Sequence, residues 1–249
     1  MAEIELNLDG HEARVAVDAE ELETVHLPVL RDFERRWRER RGRFVVFLSG
    51  APGSGKTTLA GLWEWLGRQG RIEPQVQALP VDGFHLPNRV LDSQRITIDG
   101  EEMPLRRIKG RPETFDLTSL RETLRAIKAG EEVRWPRYDR TIHDPVPGAT
   151  CVPAEGILIV EGLYMLLDQP GWRELREMAD RGVFVECPAE VLQADLLARK
   201  CRQGRSLEEA KAHYELVDRY TLELTMRYRQ GADVIIRVGP GRRMELVTG

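Results

Sequence analysis

The sequence is poor in cysteine, with Cys151, Cys187 and Cys201 only and no CxxC pair. A disulfide framework or a zinc knuckle does not follow from such a set, and a reducing cytoplasm is the expected compartment. No run approaches the roughly 20 apolar residues of a membrane span, so no membrane partner is expected. The acidic start, Met1-Ala2-Glu3-Ile4-Glu5, does not read as a signal peptide. An excess of positive charge is also missing: 37 basic residues face 41 acidic ones, for a net charge of −4. That balance weighs against nucleic acid as a partner. The arginine-rich stretch from Arg31 to Arg43 interleaves only Phe33 and Trp37 as aromatics, too few for a base-stacking platform, and it reads as a solvated helix face. The guanine-reading Asn-Lys-x-Asp stretch is absent, which counts against a GTPase-like switch. No internal repeat and no low-complexity segment is present.

What remains is an ordinary globular composition over 249 residues, enough for one large α/β domain or two small ones. Residues 4–17 alternate weakly around Asp9-Gly10 and predict a hairpin. Glu20 to Arg41 has helical spacing. Five apolar segments follow as strand candidates: Phe44–Leu48, Gln75–Val81, Ile157–Val160, Val183–Val185 and Val234–Val238. Their continuous apolar character fits strands buried on both faces of a parallel sheet. Helices are expected from Thr57 to about Arg68, from the Asp116 cap to about Lys128, from Pro188 to about Arg202, and from the Ser206/Glu209 capping box to about Tyr228. The polar stretch with Pro87, Asp92 and Pro104 reads as a long excursion over a site. The predicted fold class is α/β, a doubly wound parallel five-stranded sheet with helices on both faces and a short helical lid. The expected division is an N-terminal hairpin/helix extension over 1–42 and a main domain over 43–249.

Gly50-Ala51-Pro52-Gly53-Ser54-Gly55-Lys56-Thr57 matches G-x-x-x-x-G-K-[ST] at every fixed position, between a strand and a helix. Glycines let backbone N–H groups approach phosphate oxygens without a Cβ in the way, and the helix start adds its positive dipole end. Gly50, Gly53, Ser54, Gly55, Lys56, Thr57 and Thr58 are therefore the expected nucleotide-binding set. Lys56 supplies a point charge to the β/γ-phosphates, and the Thr57 hydroxyl is a ligand for Mg²⁺. Ligands in open α/β sheets sit beyond the carboxyl ends of the strands, and Asp82 and Glu161 both follow apolar strands. Phosphoryl transfer needs one carboxylate for the metal and one for the nucleophile. Glu161 is assigned to the Mg²⁺ shell and Asp82 to the acceptor hydroxyl as general base; exchanged roles, or Asp82 in both, stay open.

The phosphate loop, then Val81-Asp82-Gly83-Phe84-His85, then Pro112-Glu113-Thr114-Phe115-Asp116, then Pro136 to Asp144 and Ile159-Val160-Glu161-Gly162, occur in this order. The succession resembles the phosphoribulokinase/uridine kinase family, which includes bacterial pantothenate kinase. The Asp82-to-Asn88 stretch is similar to that of a bacterial branch of nucleoside/nucleotide or fructose-transport-associated kinases. The resemblance covers about residues 44–238. It implies a P-loop kinase fold, ATP with Mg²⁺, and transfer to a hydroxyl of a small-molecule acceptor. It also implies substrate contacts from Tyr138, Arg140 and His143, while His85 either faces the substrate or braces the loop.

Uridine kinases carry an acid where this chain has Gly110, which counts against uridine. Lys109 and Arg111 suit an anionic acceptor and equally fit exposed loop charges. The resemblance further implies a basic lid near 199–206, with Arg199 and Arg202 on the transferring phosphoryl group and Arg205 on the nucleotide; the bland alternative is a basic helix end satisfying its own dipole. The rival function is a P-loop NTPase acting as a regulatory nucleotide-binding module. A homodimer is compatible with the sequence, which does not fix the oligomeric state.

Overall fold

Each central strand packs one set of side chains into one apolar layer and the alternate set into another. In a computed structural model, which describes residues 2–8 and 11–247, this is clearest for Arg43–Gly50. Its Val46 and Leu48 join a cluster on one face, and its Val45 and Phe47 join a second cluster on the other.

In chain order the elements begin with β1 (Ala2–Leu8) and β2 (His11–Val17), an antiparallel hairpin pairing Leu6 with Ala13. The predicted turn at Asp9-Gly10 lies outside the described residues. Then come α1 (Ala19–Glu21), a π-helical turn over Leu22–His26, α2 (Leu27–Arg40), β3 (Arg43–Gly50) and α3 (Lys56–Arg68). The middle of the chain holds β4 (Val76–Pro80), α4 (Asn88–Ser93), the hairpin β5 (Arg95–Ile98) and β6 (Glu101–Pro104), and α5 (Leu117–Ala129). It continues with the hairpin β7 (Arg134–Asp139) and β8 (Asp144–Cys151), then β9 (Gly156–Glu161) and β10 (Arg181–Glu186). The last part holds α6 (Ala189–Arg202), α7 (Leu207–His213), a second π-helical turn over Tyr214–Asp218, α8 (Arg219–Arg227), β11 (Val234–Val238) and β12 (Met244–Val247).

The main sheet runs β12-β11-β10-β3-β9-β4. Its five parallel strands are those expected from the apolar runs, and β12 adds a sixth, antiparallel to β11. The short Met244–Val247 segment follows a turn at Pro240–Arg242 and is too brief to stand out by periodicity. Order reverses at β3: α3 leads to β4 on one side, and the chain later passes to β10 on the other. This is the switch point where ligands collect.

The helix ends behave as their residues dictate. The Asp116 carboxylate accepts from the Ser119 amide at 3.0 Å, and Ser206 with Glu209 closes a capping box. Arg35, Arg36 and Arg38 of α2 are held in ion pairs with Asp32, Glu34, Glu39 and Glu73, as suits a solvated helix face. Ile4, Leu6 and Val17 of the first hairpin join the same apolar cluster as Phe33, Trp37, Phe44 and Trp63.

One glycine sets the entry to β9. Gly156 has φ +131°, and a Cβ there would lie 2.6 Å from the Gln75 carbonyl oxygen. Gly156→Ala is expected to cost roughly 1–3 kcal/mol, read as a lower urea midpoint at unchanged slope. A midpoint equal to that of the parent would contradict the close approach.

Candidate active site

The register brings three strand ends to one level. Leu48 and Pro80 both pair with Glu161, and Gly50 pairs with Val185. Beyond these ends opens a cleft of about 1050 Å³. Its walls include Gly53, Lys56, Thr57, Asp82, His85, Tyr138, Arg140, His143, Glu161, Arg199 and Arg205, eleven of the expected site residues from five separate segments.

The phosphate loop leaves β3 at Gly50, where space is tight: a Cβ would sit 2.7 Å from Ser54 Oγ and 2.8 Å from the Val185 carbonyl oxygen. Gly55 precedes α3 in the left-handed region at φ +94°, a conformation that glycine adopts without strain. Gly50, Ser54, Gly55 and Thr58 shape the loop and the first turn and are not part of the cleft wall. Ser54 Oγ is buried with no hydrogen-bond partner among the described residues.

The Thr57 hydroxyl donates to Glu161 Oε1 at 2.9 Å, tying the start of α3 to the end of β9. Burial pushes the Glu161 carboxyl up to about 7, opposed by the charge of Lys56. Burial likewise holds the Lys56 ammonium below its ordinary range, opposed by Glu161 and Asp82. A hydroxyl and a carboxyl side by side, with a second carboxylate in the same cleft, fit Mg²⁺, which keeps waters and uses few protein ligands. No cluster of three or more His, Cys, Asp or Glu placed to hold a metal exists among the described residues.

Asp82 lies on a single 3₁₀ turn, Val81–Phe84, directly after β4. Its carboxylate is partly exposed and receives the Arg140 guanidinium at 3.4 Å. His85 braces the loop and also lines the cleft. Its Nδ1 donates to the Asp82 carbonyl at 2.8 Å, bracing the turn, while the ring lines the cleft. The ring stacks on Phe115 with centroids 4.0 Å apart, and burial favours its neutral form. The turn meets the β7–β8 hairpin at Gly83, where a Cβ would be 2.3 Å from the Pro136 carbonyl oxygen. The hairpin therefore lies against the turn that carries Asp82, presenting Tyr138, Arg140 and His143 to the cleft. Burial, and then the nearby Asp82 charge, push the Tyr138 phenol up to about 12.

Two expectations need correction. Arg111 does not face the cleft: it is buried, donates to the Leu216 carbonyl and lies 4.0 Å over the Tyr220 ring. Arg202 is exposed on α6 and absent from the cleft wall. Arg199, Lys200 and Gln203 of the same stretch line the wall instead. Lys200 is buried against Asp218 at 3.2 Å. The sequence pattern also gave no notice of Arg106, Arg107, His213 and Asp218 as cleft residues. The adjacent Arg106-Arg107 pair, a few residues before Gly110, was the signal available.

Known proteins are similar to this one in sequence and in fold. A model of the Phosphoribulokinase / Uridine kinase family matches residues 45–245. The uncharacterized protein YggC of Escherichia coli (strain K12) is 38% identical over 236 residues, 94% of this chain and 95% of that protein. A pantothenate kinase from Leifsonia xyli is 36% identical over 147 residues, which span 57% of this chain and 43% of that enzyme. A crystal structure from Silicibacter sp. TM1040, provisionally described as a fructose transport system kinase, superposes with TM-score 0.74 at 34% identity, covering 85% of this chain and 98% of that one. With the family model spanning the phosphate loop, the Asp82 turn and the Glu161 strand end, this chain belongs to the phosphoribulokinase/uridine kinase family of P-loop kinases, whose members phosphorylate small metabolites.

Proposed function

We propose that this protein transfers the γ-phosphoryl group of ATP to a hydroxyl of a small metabolite, with Asp82 as general base. The observation that carries the reading is the meeting of Lys56, Thr57, Glu161 and Asp82 in one cleft beyond adjacent parallel strands. Lys56 and the loop amides would hold the phosphates, and Thr57 and Glu161 would hold Mg²⁺, which neutralises charge on the phosphate oxygens when bound. Asp82 accepts the proton of the acceptor hydroxyl as the new P–O bond forms and the bond to the β-phosphate oxygen breaks; ADP leaves with that electron pair. Arg199 and Arg205 line the lid side of the cleft and would add positive charge there. Closure of the α6–α7 lid would exclude water, limiting loss of the phosphoryl group to hydrolysis.

The acceptor side separates this chain from a uridine kinase. Gly110 has φ +109°, and a Cβ there would lie 3.5 Å from Val217 Cγ1. Its carbonyl accepts from the Tyr164 hydroxyl at 2.6 Å. An acidic side chain at this φ would be strained, so a ribose-binding carboxylate has no place at this position.

ADP release with ATP, Mg²⁺ and a panel of small hydroxyl compounds tests the reading. Turnover is expected to rise sharply with one metabolite class and not with RNA, DNA or protein. Nucleotide binding without any stimulated turnover would favour a regulatory module instead. Asp82→Asn is expected to lower kcat/KM by about 10²–10⁴-fold with ATP affinity retained; near-normal turnover would remove Asp82 from the base role. Lys56→Ala is expected to weaken both ATP binding and turnover, and unchanged values would contradict the phosphate-loop assignment.

Because burial places the Glu161 pKa near neutrality, the carboxyl is mostly protonated below about 7. Binding of preformed Mg–ATP needs the carboxylate, so at about pH 6 it should release a proton, and at about pH 8.5 almost none. Calorimetry in buffers of different ionisation enthalpy reads this release, and Glu161→Gln should abolish it. Buffer-independent enthalpies for the parent at about pH 6 would refute the link.

A further inference from the structure

The charges in the cleft do not balance once the nucleotide is accounted for. Among the described residues its walls carry eight basic side chains against four carboxylates, Asp82, Glu161, Glu209 and Asp218. Mg–ATP brings about two net negative charges, which leaves positive charge uncovered. The surplus is not spread evenly. Lys56, Arg199, Lys200 and Arg205 stand beside the phosphate loop and the lid, with Glu161, Glu209 and Asp218 among them. Near Asp82 and Tyr138 stand Arg106, Lys109 and Arg140, with Arg107 next to Arg106 in the chain and in the cleft wall.

Lys109 shows what this corner lacks. Its ammonium donates to Asn88 Oδ1 at 2.7 Å and to the His143 carbonyl at 2.8 Å, and lies 4.9 Å over the Tyr138 ring. Those partners are uncharged, so they orient the ammonium without neutralising it. Burial, reinforced by Arg106, pulls its pKa down to about 8; it stays charged at neutral pH, and an anion beside it would favour that charged form. Arg106 has one loose acidic neighbour, Asp92, at 3.6 Å and outside the cleft wall. Asp144, which accepts the Asn88 backbone amide at 2.7 Å, acts on Lys109 through its charge together with Asp82 and Asp92, but none of the three is in ion-pair contact with it. Arg107 has no ion-pair partner among the described residues. A neutral polyol or nucleoside would leave the half-buried Lys109 ammonium without a counter-ion in contact, which is costly. An oxyanion would receive charge-assisted hydrogen bonds from these cations.

Resting on the kinase reading above, we infer that the acceptor is a small polyol bearing an oxyanion, a phosphate or a carboxylate, at the end remote from the hydroxyl that is phosphorylated. The hydroxyl lies at Asp82, and the oxyanion lies among Arg106, Arg107 and Lys109. Arg140, held 3.4 Å from Asp82, stands between the two ends.

Matched probe sets test this: ribose, ribonate and ribose 5-phosphate, and glycerol, glycerate and glycerol 3-phosphate. Two readouts are taken, ADP release with ATP and Mg²⁺, and calorimetric binding in the presence of a non-hydrolysable ATP analogue. The expected result is that anionic members exceed their neutral partner by about a hundredfold or more in kcat/KM or affinity. The phosphate and carboxylate arms decide which oxyanion is used. Arg107→Gln, a change at an exposed side chain that holds nothing in the fold, should raise the KM for the anionic acceptor about tenfold or more with the ATP KM unchanged. Lys109→Met should do the same, with circular dichroism and thermal melting to show that it folds. Neutral members turned over as well as or better than anionic ones would overturn the inference and leave the kinase reading standing. Anionic members that bind at this corner without ever being phosphorylated would uphold the inference and sink the kinase reading. Neither binding nor turnover of any anionic member, or an Arg107→Gln effect on ATP alone, would overturn the inference.

Discussion

The hydrogen bond from Thr57 to Glu161 is the contact on which the site depends. It joins the first turn of a helix to the end of a strand about a hundred positions later in the chain, and it forms only because β3 and β9 run parallel in fixed register. A slip of one residue would turn every side chain of β9 to the opposite face. The register is held by apolar residues on both faces of the two strands, so the packing of Val45, Phe47, Leu158 and Val160 fixes where a carboxyl meets a hydroxyl. Burial then sets the chemistry. It drives both Lys56 and Glu161 toward neutrality, lowering the one pKa and raising the other, and a bound phosphate with its metal would offset both.

The fold was legible because its strands are buried on both faces. Such strands need unbroken apolar sequence, and Phe44–Leu48 and Ile157–Val160 stand out against a charged background. The phosphate loop was legible for a different reason: backbone approach to phosphate demands glycine at fixed spacing. Asp82 and Glu161 followed from their position at strand ends. Elements held by contacts distant in sequence were hidden. The pairing of β12 depends on β11 being in place. The β7–β8 hairpin contains Pro136, Pro145 and Pro147 and does not alternate cleanly, so its strands were not anticipated. The π-helical turn at Leu22–His26 answers to the burial of His26 against Glu21 and Trp63, which no local pattern records.

The same distinction separates the two halves of the cleft. The phosphate half uses a motif common to many nucleotide enzymes and is written in eight consecutive residues. The half around Asp82 is assembled from a 3₁₀ turn, the segment at Arg106–Gly110 and a hairpin. Each contributes between one and three side chains to the wall, and their grouping appears only in three dimensions. Arg111 shows how short the distance is between a ligand-facing cation and a structural one. Two positions after Lys109, its guanidinium turns the other way and fastens the carbonyl of Leu216.

Leu8, at the end of β1, forms part of the cleft wall beside Pro52 and Gly53, and its methyl groups press on the Gly61 backbone of α3. The opening hairpin thus reaches the nucleotide side of the pocket although it precedes every recognisable motif. A fragment trimmed to the motif-bearing region would lose that wall and bare Phe44 and Trp63 to water. Expression work on this protein is better served by leaving the first strand intact and attaching any affinity label elsewhere.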